Sequence, residues 1–251
     1  MTLIDMRAWV RGRPLVYGHR GFSAAAPMNT LAAFERAAEV GADGIELDVQ
    51  LSADGHAVVI HDFSVDATTD GSGTVCDMTL AQLRSLDAGS WFGTEWRGCV
   101  IPTLGEVFAA LGQRLLINVE IKTLPQQDDG IELAVAREIR DAALEERVLV
   151  SSFNPFALKR FRAIMPQVPV AALSFRGMPP ELLEHSLALD CEARHPEQTE
   201  VDEAFVSMAR QDGQLINVWT VNDVARALEL KALGVDGIVS DHPDKMLAAL
   251  S

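Results

Sequence analysis

Residues 45–49 read Ile-Glu-Leu-Asp-Val, a strict alternation of apolar and acidic side chains. A period of two is that of a β-strand, so Glu46 and Asp48 share one face while Ile45, Leu47 and Val49 share the other. Alone, such a run fits a half-exposed strand with a wet acidic face. A second run, 115–122, repeats the pattern with Asn118, Glu120 and Lys122 on one side and Ile117, Val119 and Ile121 on the other. A third, 14–20, ends in Gly18-His19-Arg20-Gly21. Three carboxylates on neighbouring inward faces, close to histidines, are costly to bury unless something positive sits among them. A hard divalent cation with oxygen ligands meets that need.

Taken in order, the chain alternates strands and helices. A strand over 15–18 leads through Pro27-Met28-Asn29-Thr30 to a helix with Leu31, Phe34 and Ala38 on one face. After the acidic strand, Ala53-Asp54-Gly55 has hairpin chemistry, and a return strand over 57–60 stops at His61-Asp62. Residues 63–102 break the pattern and read as a small insertion after the second strand, lying over one end of the fold. Thr103-Leu104-Gly105-Glu106 is a capping box opening a helix. Strands are expected at 115–122, 148–152, 168–174, weakly at 187–191, then at 214–220 and 237–240. Helices are expected at 130–143, 155–164, 201–210 and 224–233, with a last one after Asp241-His242-Pro243. Eight strand–helix units predict a single-domain (β/α)8 TIM barrel over residues 1–251, whose chemistry belongs at the C-terminal ends of the strands. Every suspicious residue above lies at such an end.

Composition narrows the partners. A hydrophobic content of 48% can fill a sizeable core, and a net charge of −15 opposes nucleic acid and anionic membrane surfaces. A phosphate-bearing substrate must then be held by local positive charge. Cys76, Cys99 and Cys191 are scattered and odd in number, which reads as reduced thiols. Residues 1–13 lack the apolar core of a signal peptide, and no run approaches the roughly 20 apolar residues of a membrane span. The expectation is a cytoplasmic protein with no stable membrane insertion.

The ordered motifs resemble the glycerophosphodiester phosphodiesterase family from Tyr17 to about Pro243. They are Gly18-His19-Arg20-Gly21, the run Gly41 to Val49, Asp54-Gly55 with Val58 to Asp62, Thr68 to Gly73, Leu86 to Phe92, Ile101 to Leu104, Asn118 to Lys122, and Asn217 to Asn222. The resemblance implies a TIM barrel that hydrolyses glycerophosphodiesters to sn-glycerol 3-phosphate and an alcohol. It implies one divalent ion, Mg2+ or Ca2+, on Glu46, Asp48 and Glu120, with His19 and His61 as the acid–base pair. Arg20 suits bidentate phosphate recognition and Lys122 supplies a point charge; Trp219, sharing parity with Asn217, can pack on glycerol carbons or fill core. Two positions depart from the family pattern: Met28 stands where it carries Glu, and Ala67 where it carries Arg. The other histidines read as solvated (His56, His185), structural near the mouth after the sixth strand (His195), or part of a helix cap (His242). Asp62 reads equally as an orienting group or a turn residue. The rival readings are a barrel phospholipase acting on lysolipids or phosphoinositides, and a binding barrel without catalysis.

Overall fold

The computed structural model describes residues 6–10, 12–124 and 128–251. Part of the N-terminal segment read for a signal peptide, residues 1–5 and 11, lies outside these. Eight parallel strands close on themselves: β1 (Leu15–His19), β2 (Gly44–Leu51), β4 (Leu116–Ile121), β5 (Val148–Ser152), β6 (Val170–Ser174), β7 (Ala193–Pro196), β8 (Leu215–Val218) and β9 (Gly237–Ser240). The short β3 (Ala57–Val59) runs antiparallel against the end of β2. The helices are α1 (Leu31–Glu39), α2 (Leu80–Leu83), α3 (Leu104–Leu111), α4 (Ile131–Asp141), α5 (Pro155–Ile164), α6 (Pro180–Leu187), α7 (Glu203–Gln211), α8 (Val224–Leu233) and α9 (Pro243–Leu250). This is the TIM barrel expected. Among the described residues no helix is long and apolar enough to cross a membrane.

Strand parity divides the molecule into two cores. Ile45, Leu47 and Val49 are fully buried outside the barrel, in one cluster with Phe34 of α1, Phe108 of α3 and Ile139 of α4. Each such side chain contributes about 1.5–3 kcal/mol by leaving water. Inside, the lower end is closed by Leu15, Tyr17 and Val239, and by Leu149, Ala171, Ala193 and Leu215, with Trp9 against both groups. The upper interior is polar. Parallel register sets His19 beside Glu46 and Glu46 beside Asn118, and in the next layer Asp48 beside Glu120 and Glu120 beside Ser151.

The insertion after the second barrel strand has a small core of its own, in which Val65, Val75, Leu83 and Ile101 pack on Val58 and Ile60. The Thr103–Glu106 capping box is present: Thr103 Oγ1 accepts the Glu106 N–H at 3.2 Å, and Glu106 Oε2 accepts the Thr103 N–H at 2.9 Å. One strand expectation is corrected. Residues 187–191 are the end of α6 and a loop, and the strand lies later, at Ala193–Pro196. Leu187, Leu189 and Cys191 alternate like a strand, but Leu187 is exposed on α6 while the other two are buried under the helix layer. The true strand was hidden because its middle is Arg194-His195. Arg194 is satisfied there by Gln214 Oε1 and the carbonyls of Ser186 and Leu187.

The turn after β1 is closely packed. A Cβ on Gly18 would lie 2.6 Å from the Gly21 carbonyl oxygen, and one on Gly21 (φ +87°) would lie 2.6 Å from the Ala33 carbonyl carbon of α1. Gly21→Ala is expected to lose about 1–2 kcal/mol to the left-handed backbone and a further ~1–3 kcal/mol to overpacking. Gly55→Ala, at φ +83° with nothing within 4 Å of the added Cβ, is expected to lose the backbone part only. Urea midpoints compare the two; equal losses would mean that the contact with α1 does not constrain this turn.

Candidate active site

Glu46, Asp48 and Glu120 converge at the top of the barrel, with carboxylate oxygens within 4.8 Å of one another. All three are buried. Burial raises Glu46 well above the usual carboxylate range, and repulsion from Asp48 and Glu120 adds to it. Glu120 is pushed up to about 7, first by burial and then by Asp48, against the pull of Lys122. Burial alone would also raise Asp48, but Arg20, Lys122 and His61 together with the Asn29 amide hold it low. Two cations therefore leave the three acids short of positive charge.

Each cation is tied to the acids. Lys122 Nζ lies 2.8 Å from Glu120 Oε1, 3.8 Å from Asp48 Oδ1 and 5.8 Å from the centre of the Phe153 ring. Arg20 has a left-handed backbone (φ 53°), a conformation uncommon for a side chain of this size. In it the Arg20 N–H donates to Glu46 Oε2 at 3.0 Å, while Nε stands 3.3 Å from Asp48 Oδ2. Asn29, also left-handed (φ 57°), donates from Nδ2 to Asp48 Oδ2 at 2.8 Å.

The two histidines flank this cluster from different elements. His19 closes β1; its Nδ1 is 2.7 Å from Asp241 Oδ1 and its Nε2 is 4.0 Å from Glu46 Oε2. Asp241, just past β9, also accepts from Ser23 Oγ and Asn222 Nδ2. Burial would raise its carboxyl, yet the bond and charge of His19 and the donors from Asn222 and Ser23 hold it far below the ordinary value. His61 follows β3, with Nδ1 2.6 Å from Asp62 Oδ1. Buried Gln50 fixes that loop by donating to the carbonyls of Ile60, His61 and Asp62. Burial lowers the His61 pKa, aided by Lys122 and Arg20 and opposed by Asp48. In both residues a carboxylate accepts a hydrogen bond from Nδ1–H, which leaves Nε2 to exchange a proton.

All eight residues expected at the site from the sequence meet here. Trp219 lies just past β8, donates from Nε1 to the His195 carbonyl at 2.8 Å and meets Phe153 edge-on at 5.4 Å. A pocket of about 60 Å3 joins His19, His61, Glu46 and Glu120 to Phe153, Trp219 and His195. Asp241, Gln50, Asn29, Phe153 and Asn118 were not singled out by the sequence. The only hint was parity for Asn118 and the motif position of Asn29. Asn118 Oδ1 is buried beside Glu46 with no hydrogen-bond partner among the described residues. An unpartnered oxygen next to three acids short of positive charge fits a bound divalent ion.

The other histidines sort differently. His195 is within the sixth barrel strand rather than after it, 1% exposed, and accepts the Asn217 amide at Nε2 (3.0 Å). His242 is the N-cap residue of α9 by position, but its side chain makes no capping bond. His185 lies against the Phe156 ring, 4.8 Å between centres, and His56 is in the turn near Asp54. Met28 is half-buried with Sδ 3.3 Å from Arg20 Nη1, and Ala67 is exposed on the insertion.

Residues 19–245 match the glycerophosphoryl diester phosphodiesterase family. A glycerophosphodiester phosphodiesterase of Caldanaerobacter subterraneus subsp. tengcongensis is 41% identical over 236 residues, covering 94% of this chain and 97% of that protein. One from Bacillus altitudinis is 38% identical over 235 residues, covering 92% and 95%. A solved structure of an Oleispira antarctica phosphodiesterase, in complex with the product sn-glycerol-3-phosphate, superposes with a TM-score of 0.85 at 35% identity, covering 94% of this chain and 96% of that one.

Burial pushes the His195 imidazole down to about 3. Between that value and its unfolded value near 6.5 the unfolded chain binds a proton that the folded chain does not. The stability from neutral His195 is therefore complete above about pH 6.5 and is lost as the pH falls toward 3. Between pH 7 and pH 5 the protein is expected to lose about 2 kcal/mol more than His195→Gln does. Urea titrations at the two pH values read the difference; parallel losses would mean that His195 takes up its proton while folded.

Proposed function

The chain belongs to the glycerophosphoryl diester phosphodiesterase family and is an enzyme of that hydrolytic class, and from this premise we propose its reaction in residue detail. Glycerophosphodiesters are cleaved to sn-glycerol 3-phosphate and an alcohol, with His19 and His61 as the acid–base pair. One divalent ion, Mg2+ or Ca2+, is held by Glu46, Asp48 and Glu120. The observation that carries the reading is the convergence of three acids short of positive charge between two histidines, each with Nδ1 held by its own carboxylate. The product named for the Oleispira antarctica relative supports glycerol 3-phosphate as the product here.

The division of labour follows from the chemistry of a phosphodiester. Its anionic centre resists attack until the non-bridging oxygens are neutralised, and a divalent ion supplies that charge when bound. Arg20 and Lys122 add the local positive charge that an acidic protein otherwise withholds from an anion. Phe153 and Trp219 give the carbons of the glycerol an apolar wall, which excludes water from one side. One histidine Nε2 takes the proton of the nucleophile, water or the glycerol 2-hydroxyl, and the other returns a proton to the departing alkoxide. Asp241 and Asp62 keep each imidazole in the tautomer that this exchange requires.

The test is release of glycerol 3-phosphate from glycerophosphodiesters, with and without chelator. Activity is expected to vanish on thorough chelation and to return with a divalent ion. His19→Ala and His61→Ala are each expected to lower kcat by about 10²–10⁴-fold with melting temperatures little changed, and the double variant to lose less than the product of the two. A folded His61→Ala enzyme with near-native turnover would remove His61 from the mechanism, and full activity in chelator would remove the metal.

A further inference from the structure

A second cavity, of about 280 Å3, lies beyond the catalytic pocket and under the insertion. Arg20 and His61 line both spaces, so these two side chains form the partition between them. The rest of the lining is mostly apolar, with Met28, Ile60, Ala67, Ala88, Trp91 and Ile101, and its polar members are Asn29, Thr30 and Thr68 beside Asp62. Ile60, Ala88 and Ile101 are buried, while Ala67 and Trp91 are exposed at its rim. We propose that this cavity is the subsite for the alcohol arm of the substrate, and that it selects neutral, carbon-rich alcohols over cationic ones. The proposal rests on the phosphodiesterase reading above.

Position assigns the occupant. A phosphodiester held at the carboxylates and Arg20 sends its two ester arms to different sides of phosphorus. The constant arm is short, and it matches the space of about 60 Å3 walled by Phe153 and Trp219. The variable arm then has the larger space, reached past His61. A group that must protonate or accept a proton at an ester oxygen has to stand beside that arm, and His61 does so from the partition.

Charge decides the class of alcohol. Among the described residues Arg20 is the one Arg or Lys lining the cavity, and it opposes a quaternary or primary ammonium. Among the described residues Asp62 is the one carboxylate there, and it accepts from His61 Nδ1 at 2.6 Å. Ammonium groups are recognised by several aromatic faces together; among the described residues Trp91 is the one aromatic ring in the lining besides the His61 imidazole. The Trp91 indole N–H is already donated to the Ala88 carbonyl at 3.0 Å, so the side chain offers the cavity an apolar surface. Alkyl or aryl carbons gain from such walls, and in a pocket of this kind a single methylene is worth about 10–200-fold in kcat/KM.

The test compares three esters of sn-glycerol 3-phosphate, with methanol, benzyl alcohol and choline, by kcat/KM for glycerol 3-phosphate release. The wild-type enzyme is expected to favour the benzyl ester over the choline ester by at least about tenfold. Trp91→Ala is expected to reduce the benzyl-to-methyl ratio by about tenfold. Ala67→Glu, a change at an exposed loop position that leaves folding intact, is expected to raise the choline-to-benzyl ratio by placing an anion at the rim. Wild-type preference for the choline ester, or ratios that neither variant moves, would overturn the subsite while the phosphodiesterase reading stands. Release of no glycerol 3-phosphate from any ester would overturn that reading itself, and the subsite with it.

Discussion

Repulsion among three buried carboxylates is the constraint around which the upper half of this barrel is arranged. Parallel register brings Asp48 level with Glu120 and leaves Glu46 one layer below, so the fold itself creates the excess negative charge. Desolvation makes that charge expensive, and the surrounding residues read as responses to it. Lys122 reaches Glu120, Asn29 turns into a left-handed conformation to reach Asp48, and Arg20 does the same to present its N–H to Glu46. The backbone strain of those two residues, of order 1–3 kcal/mol each, is held in place by Gly18 and Gly21, whose missing side chains let the turn close against α1. A barrel bottom packed with Leu15, Tyr17, Leu149 and Leu215 supplies the stability that the top does not.

Support for the proposed acid–base pair comes from outside the acidic strands. Asp241 belongs to the last strand–helix connection and reaches His19 at the end of the first strand, a contact that exists only because the sheet closes. Asp62 is adjacent to His61 in sequence, but Gln50 and the β2–β3 pairing decide where both point. One histidine thus depends on barrel closure and the other on a local hairpin.

What the sequence made legible follows the same division. Alternation exposed β2 and β4, because the outward residues are apolar and the inward ones acidic, and the Thr103–Glu106 box located α3. Parity was enough to put Glu46, Asp48 and Glu120 together, and motif order added His19, His61, Arg20, Lys122 and Trp219. Periodicity failed at β7, where Arg194 finds its partners in α6 and Gln214, so a charged residue occupies a buried strand position. It also failed for Asp241 and Gln50, whose roles arise from contacts distant in sequence or from carbonyls, which every residue carries. The large cavity was invisible for a like reason: its walls come from the Met28 turn, β3 and the insertion.

The antiparallel β3 has a mechanical consequence. Barrel strands are clamped on both edges, whereas β3 is three residues long, hydrogen-bonds along the end of β2 and meets only an isolated bridge from Val58 to Thr103 on its other side. What holds it is burial: Ala57, Val58, Val59 and Ile60 are each at most 3% exposed, so the segment lacks the solvent-exposed backbone of a locally opening element. Alternate residues face different cores, Ala57 and Val59 the main one and Val58 and Ile60 that of the insertion. A strand too short to be held by its ladder thus acts as a rivet between two apolar cores, and the place of His61 just beyond it is fixed by their packing.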